Sequence, residues 1–286
     1  MEKIRNAIKL VKACWKVLML DKELLLFPLM SLTVLASLVS YTMFQFGFFH
    51  DLELAFDDLL DTLEYQPEWA LILCAFLSYF VAYFVIIFFN AAMIACVKIR
   101  FAGGDPTVVD GLRFSIARIP QILVWAAVTA TVGFLLGEAE KRSEGLFRFF
   151  LGLLGAAWAV SSYFVVPVLV SENVGPITAV KRSVAIIKKT WGEALASVVG
   201  LSVLASISVF VAFITFFVAI VLAEYSLNLS IIIGIGAIVF GLLSSLVFTT
   251  LGAILKAALY TYAVEGKIPD QFDDDFVKNA FSKEKK

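Results

Sequence analysis

The sequence predicts an all-α polytopic membrane protein: six transmembrane helices arranged as three hairpins, each preceded by an interfacial amphipathic helix on the cytoplasmic side. Three observations carry this. Of 286 residues, 61% are hydrophobic and 16% charged, where a soluble domain averages about 45–50% and about 25%. Six apolar runs (24–46, 69–97, 119–137, 149–170, 194–223 and 229–255) contain no charged residue, and each has the roughly 17–25 residues that a spanning helix needs. Lys and Arg fall on alternate sides of those runs, 20 against 3.

Helix is the expectation for every run, because backbone groups cannot stay unpaired in hydrocarbon. The orientation comes from the connections. The segment before the first run carries six Lys/Arg, the first loop none, and the second connection four. The third has three, the fourth four, the fifth none, and the C-terminal stretch six. Both termini are therefore expected in the cytoplasm, with the chain in the cytoplasmic (inner) membrane of a cell. Residues 1–266 read as one transmembrane domain and 267–286 as a mobile charged tail. The first 22 residues spread their basic side chains through an amphipathic pattern, unlike the short basic head of a cleavable leader.

The three amphipathic segments form a weak parallel repeat. In the first, Ile4, Ile8, Val11 and Trp15 share a helical stripe with Lys9, Lys12 and Lys16 nearby. The second has Val109, Leu112 and Ile116 with Arg113 and Arg118. The third has Ile177, Val180, Val184 and Ile187 with Lys181, Arg182, Lys188 and Lys189. Such helices are expected to lie in the interface, apolar stripe down, with these nine basic residues contacting anionic lipid headgroups. Asp105-Pro106 and Gly175-Pro176 are expected helix starts, and Gly103-Gly104 a flexible joint.

Within the runs, Asn90 stands among Phe and Ala and is expected to bond a neighbouring helix. Together with Ser161 and Ser162 it is the candidate intramembrane polar site. Pro28 and Pro167 are expected to kink runs one and four. Ala237, Gly241, Ser245, Thr249 and Ala253 recur every fourth residue, a stripe suited to close helix packing, within the chain or between copies. In the outer loop, Glu53, Asp57, Asp58, Asp61 and Glu64 surround a leucine stripe. They read either as the solvated face of a surface helix or as a cation-concentrating collar.

Little chemistry is legible. Cys14, Cys74 and Cys96 fit no metal or disulfide spacing and are expected to be small buried hydrophobes. His50 is the single histidine, and neither HExxH nor GxSxG occurs, so no catalytic, cofactor or metal residue is assigned. The net charge of −1 supplies no field for nucleic acid. Ionisable groups are absent from the middle of every run, unlike ion pumps and proton-coupled carriers; Lys256 falls just past the last run and is expected to snorkel.

The stretch Ile99 to Arg113, with Leu123 to Ala126, Ala130 to Gly133, Phe164 to Glu172, Ala179 to Ser183 and Thr190 to Gly192, resembles a family of prokaryotic integral membrane proteins classified as a domain of unknown function. That resemblance implies a prokaryotic inner-membrane protein and carries no substrate. The plan is also similar to the membrane portion of glycerophosphodiester phosphodiesterases, whose catalytic domain has no counterpart here. The functional expectation is a non-enzymatic module binding lipid or a membrane partner. The alternatives are an oligomeric channel or passive transport path behind the acidic collar, and an intramembrane lipid enzyme.

Overall fold

The computed structural model describes residues 2–45, 67–266 and 269–272, with the side chains of all but 2–9, 45, 68 and 189–198. Its regular structure is helical throughout these residues. The α-helices are α1 (Glu2–Leu20), α2 (Leu26–Gln45), α3 (Glu68–Phe101), α4 (Val108–Ala117), α5 (Ile119–Lys141), α6 (Gly145–Ser161), α7 (Val165–Glu172), α8 (Pro176–Leu222) and α9 (Leu227–Glu265). Short 3-10 turns at Lys22–Leu25 and Asp270–Phe272 complete them. Six helical stretches are long and apolar enough to cross a membrane: Lys22–Phe44, Trp69–Phe101, Ile119–Lys141, Gly145–Glu172, Val199–Leu222 and Leu227–Glu265. They match the six apolar runs, and the chain is a multi-pass membrane protein.

Burial divides the bundle into two ends. At one end α9 is buried nearly all round from Thr250 to Ala263, where α1, α3, α7 and α8 surround it. Val85 to Val97 of α3 and Phe164 to Val170 complete this packed core. Toward the other end the same helices turn large apolar side chains outward, among them Leu73, Leu77, Phe213, Phe217, Ile232 and Leu243. In water such a surface would be untenable, whereas in lipid it is neutral. Pairs of helices still touch there, α8 with α9 and α3 with α5, while their outer faces lie open.

Helix ends decide how the packed end is assembled. Gly103, at φ +84°, follows α3 in the left-handed region. Its N–H donates to the Arg100 carbonyl (3.0 Å) and the Gly104 N–H to the Ile99 carbonyl (3.0 Å). This pair of bonds is a Schellman cap, so Gly103-Gly104 is a defined stop, not the expected flexible joint. Thr107 then opens α4. The Asp110 N–H donates to its hydroxyl (3.3 Å) while the Thr107 N–H donates to the Asp110 carboxylate (3.0 Å). The Thr107 hydroxyl and N–H together hold the Asp110 carboxyl below its usual pKa. Gly175 and Pro176 open α8 as expected.

Both prolines fall at helix starts, and the fourth run breaks just before Pro167, where its kink was expected. Pro28 and Pro167 each lie in the first turn of a helix, α2 and α7. The N–H that proline lacks has no acceptor within the helix there, so no bond is lost. The fourth run is interrupted at 162–164, between α6 and α7. The Ser162 hydroxyl donates back to the Trp158 carbonyl (2.8 Å). The buried Phe164 N–H donates across to the Ser183 hydroxyl of α8 (3.0 Å). Ser183→Ala strands that buried donor and is expected to lower stability by about 1–3 kcal/mol. Equilibrium unfolding in mixed micelles reads this directly, and a change under about 0.5 kcal/mol would discount the bond.

Each of the three amphipathic segments docks one face on the bundle and leaves another open. The buried face of α1 is Leu10, Ala13, Cys14, Val17 and Leu18, while Trp15 is 45% exposed. In α4 the buried residues are Gly111 and Ser115, with Val109 and Ile116 exposed. The third segment is not a separate helix but the start of the 47-residue α8, about 70 Å long at 1.5 Å per residue. It buries Ala179, Ser183 and Ile186 and leaves Ile177 exposed. The docked faces combine small residues (Ala13, Gly111, Ser115, Ala179, Ser183) with larger apolar ones (Leu10, Val17, Leu18, Ile186); Val11, Leu112, Val180 and Ile187 of the stripes also pack against the core, whereas Trp15, Val109, Ile116 and Ile177 point away.

Candidate functional site

Two features of the described residues carry polar chemistry: a network across the packed end and a pair of hollows along α9. The network begins with Arg100 at the end of α3. Its guanidinium spans Asp21, which is 7% exposed, and also reaches the fully solvated Asp105 presented by the Schellman turn. Beside it the Lys98 ammonium donates to the Ser171 hydroxyl of α7 (2.7 Å), lies 3.8 Å from the Glu265 carboxylate, and stands 5.3 Å from the Tyr260 ring centre. The Tyr260 hydroxyl donates to Glu172 (2.9 Å), which also accepts from Arg182 of α8 (2.8 Å). This carboxylate holds the Arg182 guanidinium above its usual pKa. Asn173, in the left-handed conformation after α7, accepts from Arg118 and from Gln121 (3.3 Å). Four helix ends, those of α3, α7, α8 and α9, are thereby tied together by charge-assisted hydrogen bonds.

The first hollow, about 280 Å³, lies between α2, α3 and α9. Pro28, Ser31, Phe89, Asn90, Met93 and Leu242 are among its walls. The second, about 330 Å³, lies between α8 and α9, with Tyr163 alongside. Ser202, Ala205 and Val209 line it from α8, and Ser244, Phe248, Gly252 and Lys256 from α9. Ser245 and Thr249 border both hollows. Above them α8 and α9 come into close contact, with Gly241 facing Ala212 and Gly234 facing Ala219. The Ser230 hydroxyl adds a bond to the Ala219 carbonyl (2.7 Å).

A profile of a family of unknown function, DUF6159, matches residues 69–270. The chain belongs to this family. No curated protein matches it, and no solved structure does. In this DUF6159 protein the match runs from α3 to the last 3-10 turn, so it contains Asn90, Lys98, Arg100, Glu172 and Lys256 and excludes α1, α2 and Asp21.

The structure separates residues that the sequence reading grouped. Asn90 lines the first hollow, and its Oδ1 has no hydrogen-bond partner among the described residues, where a bond to a neighbouring helix was expected. Ser161 and Ser162 line neither hollow, and Ser162 is spent on Trp158. In the α9 stripe, Ala237 and Ala253 are buried and Gly241 packs on α8, whereas Ser245 and Thr249 remain exposed along the hollows. Cys14 and Cys96 are buried as expected, but Cys74 is exposed on α3. Burial raises the Cys14 thiol pKa, which disfavours a thiolate nucleophile there.

Of the nine basic candidates in this DUF6159 chain, Lys12, Lys16, Arg113, Lys181 and Lys188 are exposed, whereas Arg118 and Arg182 are engaged within the protein. The side chains of Lys9 and Lys189 lie outside the described set, as does the whole acidic loop with Glu53, Asp57, Asp58, Asp61 and Glu64. One residue was missed. Lys256 does not follow the expected snorkelling pattern: its ammonium lies 4.8 Å from the Tyr163 ring centre, with no carboxylate within ion-pair distance among the described residues. The sequence carried no signal for this, since the apolar run stops at 255; the structure continues α9 nine residues beyond Lys256.

Proposed function

We propose that this protein is a non-enzymatic, multi-pass module of the inner membrane that binds lipid, with both termini in the cytoplasm. One observation carries the reading. The basic segments dock on the bundle by one face and leave both large apolar side chains and Lys/Arg outward. Trp15, Met19, Val109, Ile116 and Ile177 are exposed, as are Lys12, Lys16, Arg113, Lys181 and Lys188. An apolar side chain beside an ammonium or guanidinium is the pairing that favours the boundary between acyl chains and anionic headgroups. The three-unit plan, a basic segment before each pair of spans, would repeat this contact along one leaflet.

The charge arithmetic makes the proposal measurable. A basic residue near an anionic surface contributes about 1 kcal/mol, and about 1.4 kcal/mol is a factor of ten. Changing Lys12, Lys16, Arg113, Lys181 and Lys188 together to Gln is expected to reduce enrichment of phosphatidylglycerol over phosphatidylcholine around the protein by about tenfold or more at low salt. Lipid composition of nanodiscs carrying wild type and variant reports it. Equal enrichment in both, insensitive to salt, would remove the headgroup contact from the proposal.

A further inference from the structure

The hollow between α8 and α9 is built unevenly. Along α9 its wall runs from Ser244 to Lys256, about 18 Å of helix. Most of that length is apolar or small: Leu201, Ala205, Val209, Phe248, Gly252 and Leu255. Ser202, Val209, Ser245 and Thr249 are exposed, so the hollow opens sideways to whatever surrounds the bundle. Lys256 is the last residue of the wall, its ammonium against the Tyr163 ring. No carboxylate among the described residues lies within ion-pair distance of it. Every other basic side chain pointed into the packed end has one or an amide oxygen: Lys98 has Glu265, Arg100 has Asp21, Arg118 has Asn173 and Arg182 has Glu172. An ionisable group at such depth calls for a partner, and a ring face supplies only part of one.

We propose that this groove holds one anionic phospholipid, its phosphate at Lys256 and one acyl chain along the apolar wall between α8 and α9. The inference rests on the lipid-binding reading above and names a single retained molecule within it. Charge selects the headgroup: the groove presents one cation and no anion. Shape selects the tail: a narrow apolar channel of about 18 Å, open to the bilayer along one side, admits a chain without its leaving the membrane. Of the hydroxyls along the wall, that of Ser202, next to Leu201 which faces Gly252, lies toward the Lys256 end and suits the polar glycerol linkage. No bond is made or broken; the site retains its occupant.

Native mass spectrometry of protein released from nanodiscs containing phosphatidylglycerol, phosphatidylcholine and a trace of oleate tests this. The adduct mass identifies the source. One phosphatidylglycerol per chain is expected on the wild type, and it persists in the five-residue Lys/Arg→Gln surface variant. Lys256→Met is expected to lose that adduct about tenfold or more, as for removal of one partner of a desolvated charge contact, and Lys256→Arg to keep it. Ala205→Phe leaves the charge in place, fills the groove, and is expected to lose it as well. Retention of phosphatidylglycerol by both Lys256→Met and Ala205→Phe overturns the groove site while leaving the surface reading standing. Retention of phosphatidylcholine or oleate in preference overturns the anionic-phospholipid assignment. An unlipidated wild type, with no enrichment in the surface assay either, overturns both readings.

Discussion

Arg100→Met lowers stability by about 3 kcal/mol, because removing one partner of a buried ion pair leaves the other charged and dry. Asp21 is 7% exposed and the Arg100 side chain 19%, so water cannot compensate the carboxylate. Asp105, the second partner, is 93% exposed and loses little when the guanidinium goes. The informative experiment is the double variant. If the buried pair itself carries the effect, Asp21→Leu combined with Arg100→Met recovers most of the loss, since an apolar replacement of both partners is often neutral or stabilising. Equilibrium unfolding of the four proteins in mixed micelles gives the coupling. A double variant as unstable as Arg100→Met alone would place the effect in the packing of the guanidinium stem instead.

Gly111→Ala lowers stability by about 2 kcal/mol, against the direction of helix propensity. Alanine in a helix interior is favoured over glycine by about 1 kcal/mol. At Gly111, however, an added Cβ would lie 2.7 Å from Cys96 Sγ, 2.7 Å from the tip of the Phe27 ring and 2.8 Å from the Ala92 carbonyl oxygen. The last is backbone of α3 and cannot rotate away. The Ser115 hydroxyl, bonded to the Phe88 carbonyl (3.0 Å), fixes the same face of α4 one turn later. Overpacking costs about 1–3 kcal/mol and is expected at its upper end here, so sterics outweigh propensity. Gly152→Ala is the matched control: nothing lies within 4 Å of its added Cβ, and it is expected to be neutral or stabilising by up to about 1 kcal/mol. Equal effects at the two positions, read by melting in the same detergent, would mean that α4 does not pack on α3 this closely.

Six spans were legible from residue types alone, because hydrocarbon imposes one rule on every residue of a spanning segment and length does the rest. The helix start at Gly175-Pro176 is legible for a similarly local reason, since caps are made by residues within four positions of one another, whereas α4 begins after the Thr107 cap and not at the expected Asp105-Pro106. The faces of the amphipathic segments were not. Trp15, Val109 and Ile177 mark a lipid-facing stripe in the sequence and are exposed, but which other residues dock on the bundle has no signal there. In lipid, apolar area supplies no preference between protein and surroundings, so the docked face is set by fit, small residues such as Ala13, Gly111, Ser115, Ala179 and Ser183 beside Leu10, Val17, Leu18 and Ile186. The candidate site was legible only in part. Asn90 stood out as an amide among phenylalanines, but that its Oδ1 meets no partner among the described residues depends on which side chains of α2 and α9 come near. Lys256 looked like the end of a span, since the apolar run stops at 255. Only tertiary structure shows that α9 continues to Glu265, wrapped by α1, α3, α7 and α8. The sequence by itself determined how many times the chain crosses and where its charges fall, because those follow from local transfer energies. Which charges are neutralised, by Asp21 at Arg100 and by no carboxylate described at Lys256, was decided by helices far apart in the chain meeting at one end of the bundle.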